Sequence, residues 1–175
     1  MTFWRRWTRS SANRPPFAGR PSTAVVMITL RRLSLPARHN QLVVFAREAR
    51  AAASEAGMSE VEAHRVELAV DEACANIVDH AYAGNPGEID MEIVWAPAKT
   101  FVVILTDEGL PFIVPEGPPA SPPKSVEELR VGGLGLRIIR QAMSEARWEF
   151  GVGAPDGRKV NRLTMTRDLA PVAAS

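Results

Sequence analysis

Cysteine is almost absent: Cys74 stands alone in 175 residues, so no internal disulfide can form. A chain of this length buries roughly two-thirds of its unfolded surface and needs no disulfide or metal staple. One thiol without a partner fits a reducing compartment, and a cytoplasmic location is the expectation. No apolar run approaches the ~20 residues of a membrane-spanning helix, so no span through a membrane is expected. An excess of either charge is missing too. The net charge is +1, and nothing in that balance points to direct contact with nucleic acid.

What remains is a composition of 46% hydrophobic and 23% charged residues, that of a soluble domain of ordinary size. Five of the 21 basic side chains (Arg5, Arg6, Arg9, Arg14 and Arg20) fall in the first 26 residues, where there is no acid. Residues 27–175 therefore carry 16 basic against 20 acidic side chains. The basic segment has no apolar stretch of the kind an export signal needs, and a disordered tail is expected over residues 1–26. Met27, just ahead of the first patterned segment, is a candidate start. A single folded domain is expected over residues 27–168, with a short tail over 169–175.

Periodicity orders the domain. Residues Met27 to Leu35 predict a strand closed by Pro36. Leu42, Phe45, Ala46, Ala49, Ala52, Ala53 and Ala56 recur at threes and fours, which predicts a helix over 37–56 ended by Gly57. Ser59 and Glu62 form a capping box for a second helix, whose stripe Val66, Ala69, Val70, Ala73 and Ile77 carries it to Tyr82. Asn85-Pro86-Gly87 is a turn. Ile89, Met91, Ile93 and Trp95 alternate with Asp90 and Glu92 as in a half-buried strand, and Phe101 to Leu105 suits a central one. Six prolines between Pro111 and Pro123 make residues 110–131 a loop, with one helical turn at Ser125 to Leu129. A third helix follows Gly132, carrying Leu136, Ile138, Ile139 and Met143. Strands near 147–152 and 160–166 flank an Asp156-Gly157 hairpin turn. Helices grouped between antiparallel strands predict an α+β fold.

Three clusters could carry chemistry. Glu72 and Asn76 stand four apart and share a helix face, with Asp79 and His80 one turn further on. A carboxylate and an amide can act there as proton acceptor and magnesium ligand, since magnesium takes few protein oxygens and several from water and phosphate. Taken alone, the pair is also what a solvated helix face carries. Asp107-Glu108-Gly109 ends an apolar strand. Its acid can accept a hydrogen bond from a ligand amine and its glycine permits close approach of backbone, although a plain turn uses the same residues. Gly132-Gly133-Leu134-Gly135-Leu136 opens a helix, where free N–H groups and the helix dipole suit a phosphate; a flexible hinge is the alternative. The Lys-Ser/Thr of a P-loop is missing, and a proline-rich loop stands where a dinucleotide fingerprint needs a strand.

In combination these segments resemble a known family. Asp71-Glu72-Ala73-Cys74-Ala75-Asn76 with His80-Ala81-Tyr82, then Asp107-Glu108-Gly109, then Gly133-Leu134-Gly135-Leu136, look like the N, G1 and G2 boxes of the GHKL ATPases, and specifically of the anti-sigma-factor serine kinases. The resemblance covers about Met27 to Asp168. It implies a two-layer α/β sandwich with a mixed, mostly antiparallel sheet and helices on one face, holding ATP and magnesium beneath a lid. By that likeness Glu72 is the general base, Asn76 the magnesium ligand and Asp107 the reader of adenine. Gly109, Gly133 and Gly135 let backbone wrap the nucleotide, and Arg130, in Glu127-Glu128-Leu129-Arg130, is a candidate contact to the γ-phosphate. Where the G1 pattern has a second glycine this chain has Pro111. His39 lies in no phospho-accepting helix pair, which argues against a two-component histidine kinase. The resemblance further implies a homodimer, a sigma factor as partner, and a STAS-type anti-anti-sigma antagonist as protein substrate. A nucleotide-dependent binding module without kinase activity is the rival reading.

Overall fold

A computed structural model describes residues 26–96, 99–112, 114 and 134–169. Among the described residues five strands and three α-helices follow in the order β1 (Ile28–Pro36), α1 (His39–Glu55), α2 (Glu60–Asn76), β2 (Glu88–Ala96), β3 (Thr100–Asp107), α3 (Leu134–Ala142), β4 (Glu145–Gly153) and β5 (Lys159–Asp168). The strands form one sheet in the order β1-β2-β3-β5-β4, each antiparallel to its neighbours. The architecture is the α+β sandwich expected from the sequence, with β3 in the centre.

Alternation sets the layers. Ile89, Met91 and Ile93 of β2, Phe101, Val103 and Leu105 of β3, and Leu163 and Met165 of β5 are buried at every second position. They share one core with Leu42, Phe45 and Ala49 of α1, Ala63, Val66, Val70 and Ala73 of α2, and Leu136 and Ile139 of α3. The alternate residues Asp90, Glu92, Thr106, Arg162 and Thr164 line the opposite, open face of the sheet. The capping box is formed in full: Ser59 Oγ accepts from the N–H of Glu62, and the Glu62 carboxylate accepts from the N–H of Ser59 at 3.1 Å. Glu62 also meets Arg167 of β5 at 3.1 Å, and Arg167 donates to the carbonyl of Ala142 at 2.6 Å, so one guanidinium joins the start of α2, the end of α3 and the sheet. Among the described residues no helix is long and apolar enough to cross a membrane.

The second helix does not continue as an α-helix to Tyr82. It changes after Asn76 into a π-helical segment, Ile77–Tyr82, closed by the N–H of Ala83 on the carbonyl of Val78, five residues back, at 3.1 Å. A wider turn shifts every later side chain out of the 3.6-residue register. Asp79 therefore leaves the line of Glu72 and Asn76 and pairs with His39 at 2.9 Å.

Tyr82, the only tyrosine, ends this segment and fastens it. Its hydroxyl donates to the carbonyl of Glu88 at 2.8 Å and accepts from the N–H of Glu108 at 3.1 Å, linking helix, β2 and the end of β3. Tyr82→Phe keeps the ring and removes both bonds, leaving a half-buried N–H and C=O to find water. We expect a loss of about 1–3 kcal/mol in urea-induced unfolding. An unchanged midpoint and slope would show that the latch contributes nothing.

Candidate functional site

The inward face of β3 runs Phe101, Val103, Leu105 and then Asp107, so the alternation that buries the core also turns a carboxylate inward at the strand's end. Asp107 is 5% exposed, as is Asn161, which lies directly opposite it in the register of β5. Asp107 Oδ1 accepts from the N–H of Gly109 at 2.8 Å and from Asn161 Nδ2 at 2.9 Å. Burial raises the carboxyl's pKa, and these two hydrogen bonds oppose the rise. Both fall on Oδ1, so Oδ2 is the oxygen left to a ligand.

Gly109 answers to sterics. A Cβ there would lie 2.7 Å from the carbonyl carbon and oxygen of Ala81, and the next N–H, that of Leu110, donates to that same oxygen at 2.8 Å. Only a glycine lets the strand end lie flat against the π-helical segment.

The second cluster forms where α3 meets α2. A Cβ on Gly135 would sit 2.6 Å from Glu72 Oε2 and 3.7 Å from Asn76 Nδ2. The absent side chain thus leaves the first turn of α3 open toward a carboxylate and an amide on one face of α2. Glu72 is half-buried, and burial, with the neighbouring charge of Asp71 second, raises its pKa. Among the described residues no group of three or more His, Cys, Asp or Glu side chains could hold a metal. The oxygen donors here are the Asn76 amide and the Glu72 carboxylate beside the first turn of α3. They suit magnesium carried mainly by phosphate and water, and not a metal held by a protein cage.

The two clusters meet at Asn76. A narrow cleft is lined by Ala73, Asn76 and Ile77 of the helical layer, Asp107 and Asn161 of the sheet, and Phe112. Trp148, Phe150 and Leu163 add apolar walls and Arg162 a polar one to the Asp107–Asn161 pair, a mostly apolar lining with a few polar atoms around a space that is closed as it stands. Phe112 stands at 5.5 Å from the ring of Phe150, edge to face, and 5.8 Å from that of His80.

Residues 35–166 match the family model for the histidine kinase-like ATPase domain. The chain belongs to that family. It is similar to the serine-protein kinase RsbW of Bacillus licheniformis, 33% identical over 106 residues, which are 58% of this chain and 66% of that protein, just under two thirds of it. The serine-protein kinases RsbW of Bacillus pumilus (29% over 137 residues, 72% of this chain and 82% of the relative) and Listeria monocytogenes (31% over 126 residues, 69% and 80%) are also similar.

Of the residues the sequence singles out in this histidine kinase-like ATPase domain, the structure brings Glu72, Asn76 and Gly135 together where α3 meets α2 and Asp107 and Gly109 together after β3, with Asn76 and Asp107 both lining the cleft. Gly133 and Arg130 lie outside the described residues. Asn161 was not singled out. The signal was there: Leu163 and Met165 place position 161 on the inward face of β5, where an amide is unexpected.

The two glycines make opposite demands. Gly109→Ala meets backbone that cannot yield, and we expect it to cost about 1–3 kcal/mol in chemical denaturation. Gly135→Ala meets the end of a flexible side chain, on a helix where alanine is the better former by about 1 kcal/mol, so stability should stay within about 1 kcal/mol of wild type. Equal losses from the two would mean that the approach of Gly109 to Ala81 is looser than described.

Proposed function

We propose that this chain is an ATP-dependent protein serine kinase that phosphorylates an anti-anti-sigma antagonist and also sequesters a sigma factor. The observation that carries the reading is Glu72 beside Gly135 and Asn76, with Asn76 lining a cleft that also includes Asp107. Asn76 joins a general base and a helix start on one side to a buried carboxylate for an amine on the other. ATP would give its terminal phosphoryl group to the serine oxygen and leave as ADP, and bound magnesium would offset the charge on the transferred group. Asn76 would hold the metal through its amide oxygen, and Asp107 would accept from the base. Gly133 and Gly135 would keep the backbone clear of the phosphates, with Arg130 as a further contact.

Phosphoryl transfer asks chiefly for positioning and electrostatics, so the chain's own chemical step is small. Glu72 takes the proton of the substrate serine. Its raised pKa moves it toward neutrality, where a carboxylate accepts a proton more readily. The relatives are named serine-protein kinases, which supports the choice of serine as acceptor.

Glu72→Gln tests the role. It keeps shape and hydrogen bonding and removes the proton acceptor. Transfer of labelled phosphate from ATP to the antagonist should fall by ~10²–10⁴-fold. The affinity for Mg·ATP, expected in the micromolar range at roughly −8 kcal/mol, should hold within a few-fold. Wild-type protein that binds ATP and never transfers phosphate would favour a nucleotide-dependent binding module instead. Undiminished transfer by the variant would show that another group is the base.

A further inference from the structure

We propose that Asn161 is a positioning residue that makes the cleft select a purine bearing an amino group over one bearing a carbonyl. This rests on the reading of the cleft as the seat of a nucleotide base, and goes beyond it by naming what fixes the base preference.

The orientation of the Asn161 amide is locked from three directions. Its Oδ1 accepts from the backbone N–H of Gly151 at 3.3 Å, and a backbone N–H can only donate. Its Nδ2 donates to the carbonyl of Gly109 at 2.9 Å, and a carbonyl can only accept. The second hydrogen of that same Nδ2 therefore points at Asp107 Oδ1, at 2.9 Å. Turning the amide over would set N–H against N–H and oxygen against oxygen.

The consequence passes to Asp107. Its Oδ1 receives two donors, from Gly109 and from Asn161, so that oxygen has no place for a proton. Two donors also favour the ionised carboxylate against the burial that opposes it. An ionised carboxylate with Oδ1 committed presents Oδ2 purely as an acceptor. An acceptor suits the exocyclic amine of adenine. Against the carbonyl of guanine or hypoxanthine it sets two lone pairs face to face, in a position where water cannot easily relieve them. Without the Asn161 donor, only Gly109 opposes protonation. A neutral Asp107 can place its hydrogen on Oδ2, and the cleft then tolerates a carbonyl.

Asn161 reaches this effect through Asp107, and an isosteric pair of variants separates the donor from the packing. Asn161→Thr and Asn161→Val have the same shape, and only threonine has a donor, its O–H in place of the amide N–H, to give to Asp107. Dissociation constants for ATP, GTP and ITP are measured by calorimetry for wild type and both variants, with thermal unfolding recorded alongside. Wild type is expected to prefer ATP over GTP by at least ~10²-fold, since sites built to hydrogen-bond one partner reject the mismatched one strongly. Asn161→Thr should keep most of that preference. Asn161→Val should lose about tenfold of it or more through tighter binding of GTP and ITP relative to ATP; if it does not fold, Asn161→Ala takes its place. Equal selectivity in the threonine and valine variants would overturn the inference, because a residue acting through packing alone shifts all three nucleotides together. A wild type that binds ATP and GTP alike would overturn it as well. A wild type that binds no nucleotide overturns the kinase reading along with it, whereas ATP binding with unchanged selectivity in the valine variant sinks this inference alone.

Discussion

Where Gly109 lies against the backbone of Ala81, the helical layer and the sheet come within 2.7 Å of the Cβ position that a larger residue would fill. The hydrogen bond from Leu110 to the carbonyl of Ala81 closes the contact at 2.8 Å. Much of the candidate site depends on this approach. It fixes the end of β3, and so the place of Asp107; it also fixes the π-helical segment that follows Asn76. The π form is part of the same arrangement. A carbonyl already turned outward from α-helical pairing can accept from a neighbouring strand, and the Ala81 carbonyl does so. Tyr82, the next residue, adds two more bonds across the same seam.

The site's electrostatics are those of carboxylates drawn out of water. Both Asp107 and Glu72 have raised pKa values with burial as the leading cause, but their surroundings differ. Asp107 is met by donors from Asn161 and Gly109, which support its charge. Glu72 has the charge of Asp71 nearby, which opposes it. One acid is thereby suited to remain an acceptor held in place, and the other to take up a proton. That division matches the two roles proposed for them, base recognition and general base, and it comes from the neighbours of each side chain.

Most of the fold was legible in the sequence, because its signals were local. The alternation of Ile89, Met91 and Ile93 and the unbroken run Phe101 to Leu105 marked β2 and β3. Ser59 and Glu62 marked the start of α2, and Asp156-Gly157 the last hairpin. Two features were hidden for physical reasons. The π-helical segment has no distinct sequence signature, and the contact it makes, Gly109 against Ala81, joins residues 28 apart in the chain. Asn161 carried a local sign, an amide on the inward face of β5, but its partner was hidden: its meaning comes from the register that sets it opposite Asp107, and register between distant strands is written in no short window. Glu72, Asn76, Asp107, Gly109 and Gly135 were visible as a series of individually weak motifs. What the sequence could not give was that Gly135 faces Glu72 and Asn76 directly.

The cleft as it stands encloses about 10 Å³, at the lower limit of what one water requires. A purine ring entering it must displace something, and Phe112 is the side chain placed to move. It belongs to the short stretch after Gly109, leaning on His80 on one side and Phe150 on the other. Contacts of aromatic rings at such separations are worth about 0.5–1.5 kcal/mol each, so giving up both costs about 1–3 kcal/mol. A binding-competent state that lies this far above the closed one lowers the apparent affinity by ~5–150-fold relative to an open cleft. A stacked base returns part of that cost when a displaced Phe112 packs against it.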